Sequence, residues 1–294
     1  MLTLHLNELK PAEVQNYLQH AIAPRPICFA STVDREGNVN LSPYSFFNLF
    51  SSNPPMVVFS PARRVRDNTT KHTLQNVEEI PEVVINMVDY PMVQQMSLSS
   101  CDYSKETNEF VKAGFTEQPA TRVKPPMVLE SKVKLECVVR NIIPLGTEGG
   151  AGNLVLAEVL VMHIDDVILD DQKKIDQTKF ELVARLGANW YAKIDRNALF
   201  EVPKPNLNLG MGVDALPISI RQSRWLTGND LGQLANCESL PTVDPTYHDA
   251  HLQQIHQYYS LQPEEMEREV HQHAHHLLES GKTEAAWQVL LTTI

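Results

Sequence analysis

Arg25-Pro26-Ile27-Cys28-Phe29-Ala30-Ser31-Thr32, a break at Asp34-Arg35-Glu36-Gly37-Asn38, and then Asn40-Leu41-Ser42-Pro43-Tyr44-Ser45-Phe46-Phe47-Asn48 read as a β-strand, a tight turn and a second extended segment. The second segment is dense in small hydroxyl and amide side chains. As a plain core strand it would bury the polar atoms of Ser42, Ser45 and Asn48, and buried polar atoms need partners. Those partners are either protein backbone or a flat polar ligand whose edge carries several acceptors.

Around this stretch the chain has 294 residues, enough for a full core in one domain plus an appendage. No apolar run approaches the ~20 residues that span a bilayer, and the first residues lack the charged-then-apolar plan of a signal peptide. Cys28, Cys101, Cys137 and Cys237 form no Cys-x-x-Cys pair and no zinc spacing, so reduced thiols in a cytoplasm are expected. A net charge of −11 argues against nucleic acid or an anionic membrane as partner.

Local charge reverses at one place. Arg63, Arg64, Arg66 and Lys71 stand within nine residues whose one acid is Asp67. The cluster follows the apolar strand Met56-Val57-Val58-Phe59-Ser60 and precedes a helical pattern at 70–77. Free N–H groups and partial positive charge at a helix N-terminus seat a phosphate, and Thr69, Thr70 and Thr73 add hydroxyls. The alternative is a solvated surface loop.

Further strands are expected at 83–88, 133–140 and 154–164, and helices at 11–20, 92–99 and 179–194. Many strands with few intervening helices predict an antiparallel barrel rather than a βαβ sheet. The glycines of Gly146-Thr147-Glu148-Gly149-Gly150-Ala151-Gly152 precede an extended apolar run rather than a helix, so they read as a mobile hairpin loop and not a dinucleotide fingerprint. His163 reads as a packed, hydrogen-bonded strand residue.

From 201 onward the chain changes character, with five basic and twelve acidic residues. Residues 201–212, with Pro203 and Pro205, read as a linker or arm, and Thr227-Gly228-Asn229-Asp230 as a turn into a short helix with Asp230 as N-cap. Two helices are expected near the end. One is capped by Ser260, started by Pro263 and stopped at Gly281, and the other covers 283–291. Such a hairpin must lean on the barrel or on a second subunit. His271 and His275, and His273 and His276, have helical spacing, with His248, His251 and His256 upstream. A solvated polar face is the default there, and no metal site is expected.

The strand-turn-strand stretch closely resembles the flavin-reductase-like, FMN-binding split-barrel family, in which a Pro-Arg-Pro opening, a Ser-Thr strand end and an Asn-Leu-Ala-Pro-Phe-Ser-Phe-Phe-Asn-like segment frame a flavin ring. Here Ser42 and Tyr44 replace the usual Ala and Phe. Lys71-His72-Thr73-Leu74-Gln75-Asn76 matches the family's Lys-Asp-Thr-x-x-Asn except at His72. Ala113-Gly114-Phe115-Thr116, Lys124-Pro125-Pro126 and Ala184-Arg185-Leu186-Gly187 also match, and the likeness covers about residues 10–200. It implies a mainly β fold: a Greek-key split barrel with peripheral helices over 1–200, and an extended arm and helical C-terminal extension over 201–294. Segments near 211–217 and 226–236 resemble a tail carried by a longer subset of the family.

The resemblance also implies FMN as cofactor, contacted by Ser31, Thr32, Asn40, Ser42, Ser45, Phe46, Phe47, Asn48, Ser60, Arg64, Lys71, Thr73 and Asn76. Lys71 and Thr73 would hold the phosphate, aided by Ser60 and Arg64, and Arg185 and Tyr191 would lie on the substrate side. The implied activity is NAD(P)H-dependent flavin reduction, with NADH or NADPH docking transiently, no catalytic protein residue and a homodimer carrying two sites. Two features depart from the pattern. Gly152-Asn153 stands where many small relatives have Asp-His, and Ala157 where they have Gly. The alternatives are a flavoprotein passing electrons from FMN to a protein or small organic acceptor, and a non-catalytic FMN-binding or partner-docking protein.

Overall fold

Two residues, Ser45 and Phe46, separate the strands Val39–Tyr44 and Phe47–Ser52, yet these are the outermost strands of one seven-stranded antiparallel sheet. In the computed structural model, which describes residues 1–205 and 209–292, the order across that sheet is Val39–Tyr44, Cys28–Val33, Glu82–Met87, Val133–Pro144, Asn153–Ile164, Pro55–Phe59, Phe47–Ser52. At about 4.8 Å per strand a flat sheet would hold its edges roughly 29 Å apart, whereas the step from Tyr44 to Phe47 reaches about 10 Å at most. The sheet therefore curls until its edges meet. It is a barrel split along one seam, and Ser45-Phe46 crosses that seam. Pro55–Phe59 pairs with both Phe47–Ser52 and Asn153–Ile164, and a long connection then carries the chain to Glu82–Met87 beside Cys28–Val33, the crossing of a Greek key.

Cys28–Val33 is buried along its whole length because both faces are covered. Cys28 and Ala30 enter the barrel interior with Phe59, Ile85, Cys137 and Val155. Phe29, pointing the other way, packs outside with Met92, Met96 and Phe110. Leu74 and Val77 of the helix His72–Glu79 join the interior group. The turn at residues 34–38 is held by Asp34, whose carboxylate accepts from the backbone of Glu36 and Asn38 at 3.0 and 2.9 Å.

The expected helices at 11–20 and 92–99 are present as Pro11–Ala21 and Val93–Leu98. The one at 179–194 is not. Val183–Arg185 and Tyr191–Lys193 form a small sheet with Arg25–Pro26 instead, pairing Arg185 with both Arg25 and Tyr191. The helical spacing in this stretch was outweighed by strand pairing and by a turn in which Ala188 takes φ +47°.

By contact the chain divides into Met1–Phe200 and Glu201–Ile294. The second unit has its own core: Ile220, Leu234, Ile255, Val270, Leu278 and Trp287 pack with neighbours from the same unit. The expected terminal helices are Pro263–Glu279 and Thr283–Leu291, with Gly281 at φ +70° between them, and a further helix, Ala250–Tyr259, packs against the first. This core supplies support that the sequence reading sought in the barrel or a second subunit. Thr227, not Asp230, caps Gly228–Leu234; Asp230 completes the capping box from the third position. Gln262, not Ser260, stands at the N-cap of Pro263–Glu279. Of the expected arm at 201–212, residues 206–208 lie outside the described residues.

Candidate functional site

The seam lies between two cavities. The first, of about 840 Å³, is lined by Phe46 from the seam, by the N-terminal segment and by the cationic loop. The N-terminal helix Pro11–Ala21 starts with proline at its first position, and Glu13 accepts from the Lys10 backbone at 3.1 Å. Val14 and Leu18, four residues apart, and Ile22 just beyond form an apolar stripe. No residue of this helix is buried, and the stripe faces the cavity.

Opposite it stand Arg63, Arg64, Arg66 and Lys71. Arg63 is fixed by Asn68, donating to its side-chain and backbone oxygens at 2.6 Å each, with Asn68 at φ +56°. Arg64 donates to Thr69 Oγ1 at 3.0 Å and Thr70 O at 2.6 Å. Lys71 immediately precedes the helix His72–Glu79, whose first turn holds no acid. Asp102, from the loop after Val93–Leu98, enters this corner. Its carboxylate accepts from Arg64 Nε and Lys71 Nζ at 3.2 Å each and from Arg66 Nη2 at 3.4 Å. Partial burial pushes the Asp102 carboxyl up, but the hydrogen bonds from Arg64 and Lys71 and their charges outweigh it and hold the group below its ordinary range. Desolvation first, then the charges of Arg64, Lys105 and Lys71, lower the His72 imidazole. Hydrogen bonds from Thr69 lead in lowering Asp67 to about 2.

The glycine run does form a hairpin connection, but it is pinned to this corner rather than free. Arg63 N donates to Ala151 O at 2.8 Å and Gly150 N to Arg63 O at 3.0 Å. A Cβ on Gly149 would lie 3.1 Å from Arg64 O, and one on Gly152 2.6 Å from Ser60 Oγ. The glycines permit a close approach of two backbones, which the sequence reading did not foresee.

The expected site residues fall into three groups. Arg64, Lys71 and Phe46 line the first cavity. Ser31, Thr32, Asn40, Thr73 and Asn76 are buried behind its walls and line neither cavity. They bond internally: Ser31 donates to Pro126 O, Asn76 to Thr32 Oγ1 at 3.1 Å, and Asn40 and Tyr44 to Thr73 Oγ1 at 2.8 and 2.7 Å. Burial leads in pushing the Tyr44 hydroxyl up to about 12, against hydrogen bonds from Thr73 and Ser42. Ser60 is also buried, its N–H donating to Phe46 O at 2.8 Å.

The third group surrounds the seam itself. Ser42, Ser45 and Phe47 are half-buried. Asn48 is exposed, contrary to the expectation that it buries polar atoms; it lies on the edge strand and accepts from Leu49 N at 2.8 Å. Ser45 lines the second cavity, of about 550 Å³, with Tyr44, Ser97, Ser100, Arg185 and Tyr191. The Arg185 guanidinium stacks 4.6 Å from the Tyr191 ring centroid and donates to Trp190 O at 2.9 Å. Arg25, buried, reaches Ser45 Oγ at 3.5 Å, and burial first, then Arg185, lowers its pKa.

Sequence reasoning missed Asp102, for which no local pattern exists, and the N-terminal apolar stripe, which Val14, Leu18 and Ile22 announce. Elsewhere, His163 Nε2 lies 2.6 Å from Glu136 Oε1. The histidines of the second unit have partners that spacing alone did not disclose. His271 meets Ser223 at 2.8 Å, His273 meets Asp249 at 2.8 Å and His275 meets Asp230 at 2.9 Å. Among the described residues no helix is long and apolar enough to cross a membrane.

The model of the flavin reductase like domain matches residues 20–179. An uncharacterized protein of Halalkalibacterium halodurans is 34% identical over 209 residues, covering 70% of this chain and 98% of its own length. Nitrilotriacetate monooxygenase component B from Bacillus cereus superposes with a TM-score of 0.64 at 28% identity, covering 69% of this chain and 98% of that one. A protein described as a flavin reductase with a split barrel domain, from Shewanella frigidimarina, gives 0.58 at 26% identity, covering 68% and 96%. The fold is thus shared with solved structures, and the chain belongs to the flavin reductase like domain family.

Proposed function

We propose that this chain is an FMN-dependent oxidoreductase that takes hydride from NADH or NADPH, with FMN seated in the first cavity. Its family membership supports a flavin-related oxidoreductase at the coarser level. One observation carries the finer reading: an apolar wall and a cationic corner meet in a single cavity of about 840 Å³ beside the seam. That combination suits a ligand with a flat, largely apolar ring at one end and a phosphate at the other. Bound there, the flavin would supply the redox chemistry, accepting hydride and carrying the electrons. Lys71 and Arg64 would hold the phosphate, Phe46 and the stripe Val14, Leu18 and Ile22 would keep water from the ring, and backbone N–H groups near Ser45 would orient its polar edge.

The six buried polar residues would then act one layer back, fixing the strands that carry the contacts. Arg185 and Tyr191, in the second cavity, fit a role toward the nicotinamide or another substrate. Leu49 and Phe50, 64% and 68% exposed on the edge strand, favour a homodimer that covers them. Four free cysteines, two of them buried, fit a reducing compartment such as the cytoplasm. Residues 1–200 would form the flavin domain and 201–294 an extension to it.

Purified protein should retain added FMN through gel filtration with a shifted absorption band and quenched fluorescence, and NADH or NADPH should be oxidised with saturation in FMN. A yellow complex that neither nicotinamide bleaches would reject the reductase reading and leave a flavin-binding one. No spectral change and no quenching of FMN fluorescence would reject both.

A further inference from the structure

We propose that Asp102 is an internal competitor at the cationic corner: a built-in carboxylate that an incoming phosphate must displace, so that its presence weakens the binding of a phosphorylated ligand and leaves a neutral one unaffected. The inference rests on the FMN reading above and deepens it. Asp102 is distant in sequence from the cations it meets, being 38 residues from Arg64 and 31 from Lys71. Both its oxygens are engaged, Oδ1 by Arg64 and Lys71 and Oδ2 by Arg66. Its carboxylate therefore stands where the corner would place the oxygens of a bound anion.

Two features make it an occupant rather than a strut. Arg64 does not need it, because Thr69 Oγ1 and Thr70 O already hold that guanidinium. Asp102 itself is 43% exposed, on a loop outside any helix or strand. Half-exposed ion pairs are individually weak, so the carboxylate can leave at small cost. A phosphate offers two charges and three acceptor oxygens in exchange, whereas a carboxylate ligand offers no more than Asp102 does. Charge balance points the same way. Arg63, Arg64, Arg66 and Lys71 face Asp67 and Asp102 here, which leaves cationic charge for an anion even with Asp102 in place.

The test is titration of FMN and riboflavin, at one fixed ionic strength, into wild type, Asp102→Asn, Asp102→Ala and Lys71→Ala, read by fluorescence quenching with melting curves as a check on folding. Both Asp102 variants should bind FMN about tenfold more tightly while riboflavin affinity stays constant. Inorganic phosphate should compete with FMN correspondingly better in these variants. FMN affinity that is unchanged or weaker in both folded Asp102 variants, with Lys71→Ala still impaired, overturns this inference alone. If Lys71→Ala also binds FMN as wild type does, the phosphate does not sit at this corner, and the seating of FMN falls together with the role of Asp102.

Discussion

At 3.2 Å from Asp102 and one residue before a helix, the Lys71 ammonium can give a phosphate both a charge and a hydrogen bond. Lys71→Ala is expected to weaken FMN binding by about 1–3 kcal/mol and to leave riboflavin binding nearly unchanged. Fluorescence titration checks both, and an equal loss for the two ligands would place Lys71 away from the phosphate. A second residue tests stability rather than binding. Glu136, fully buried, accepts from the backbone N–H groups of Thr121, Arg122 and Val123 at 2.9, 2.6 and 3.2 Å and from the Thr121 hydroxyl at 2.7 Å. Burial alone would raise its pKa, but these donors and His163 together lower it to about 2, from an ordinary 4.5. A depressed carboxyl stabilises the fold above its unfolded pKa, and that contribution is lost as pH falls through the folded value. Stability should therefore drop by about 2–3 kcal/mol as pH falls from above 4.5 to 2, and Glu136→Gln should remove that part of the slope. Urea denaturation across this range measures it; parallel curves for the two proteins would reject the assignment.

Among the elements, the hairpin connection at 146–152 carries the sharpest expectation. A methyl on Gly149 would sit 3.1 Å from Arg64 O and 3.2 Å from Val65 O, both backbone atoms, so Gly149→Ala must ease the hairpin connection away from the loop that holds Arg63 and Arg64. We expect a loss of about 1–3 kcal/mol in stability and weaker FMN binding, while Gly232→Ala, in the helix Gly228–Leu234 with nothing within 4 Å of its added methyl, should keep FMN affinity and be no less stable than wild type. Equal behaviour of the two variants would show that the loop does not brace the corner. The same elements show what a sequence exposes and what it hides. The strands at 28–33, 82–87 and 153–164 were legible because their apolar runs and turn residues are local signals. The pair at 183–193 was hidden because Ala184, Arg185 and Tyr191 owe their strand geometry to Arg25-Pro26, far away in the chain. Likewise Arg64, Lys71 and Phe46 could be picked out by charge and motif, whereas the burial of Thr73 and Asn40 behind the wall depends on a pairing across 33 residues.

On the scale of the whole chain, the cavities at the seam are lined by residues below 200, and the core of the C-terminal unit is built from residues above it. Trp287 lies 2% exposed in that second core, and its indole N–H has no partner among the described residues. Trp287→Ala should cost about 3–5 kcal/mol, through lost burial and the cavity left behind. Trp287→Phe should cost much less, because it keeps most of the ring and removes the unpaired donor. Since no residue lining the first cavity belongs to this core, both variants should retain wild-type FMN affinity while hydrogen exchange quickens across 209–292. A loss of FMN binding in step with that exchange would instead make the C-terminal unit part of the flavin site's support, and the division of labour between residues 1–200 and 201–294 would have to be abandoned.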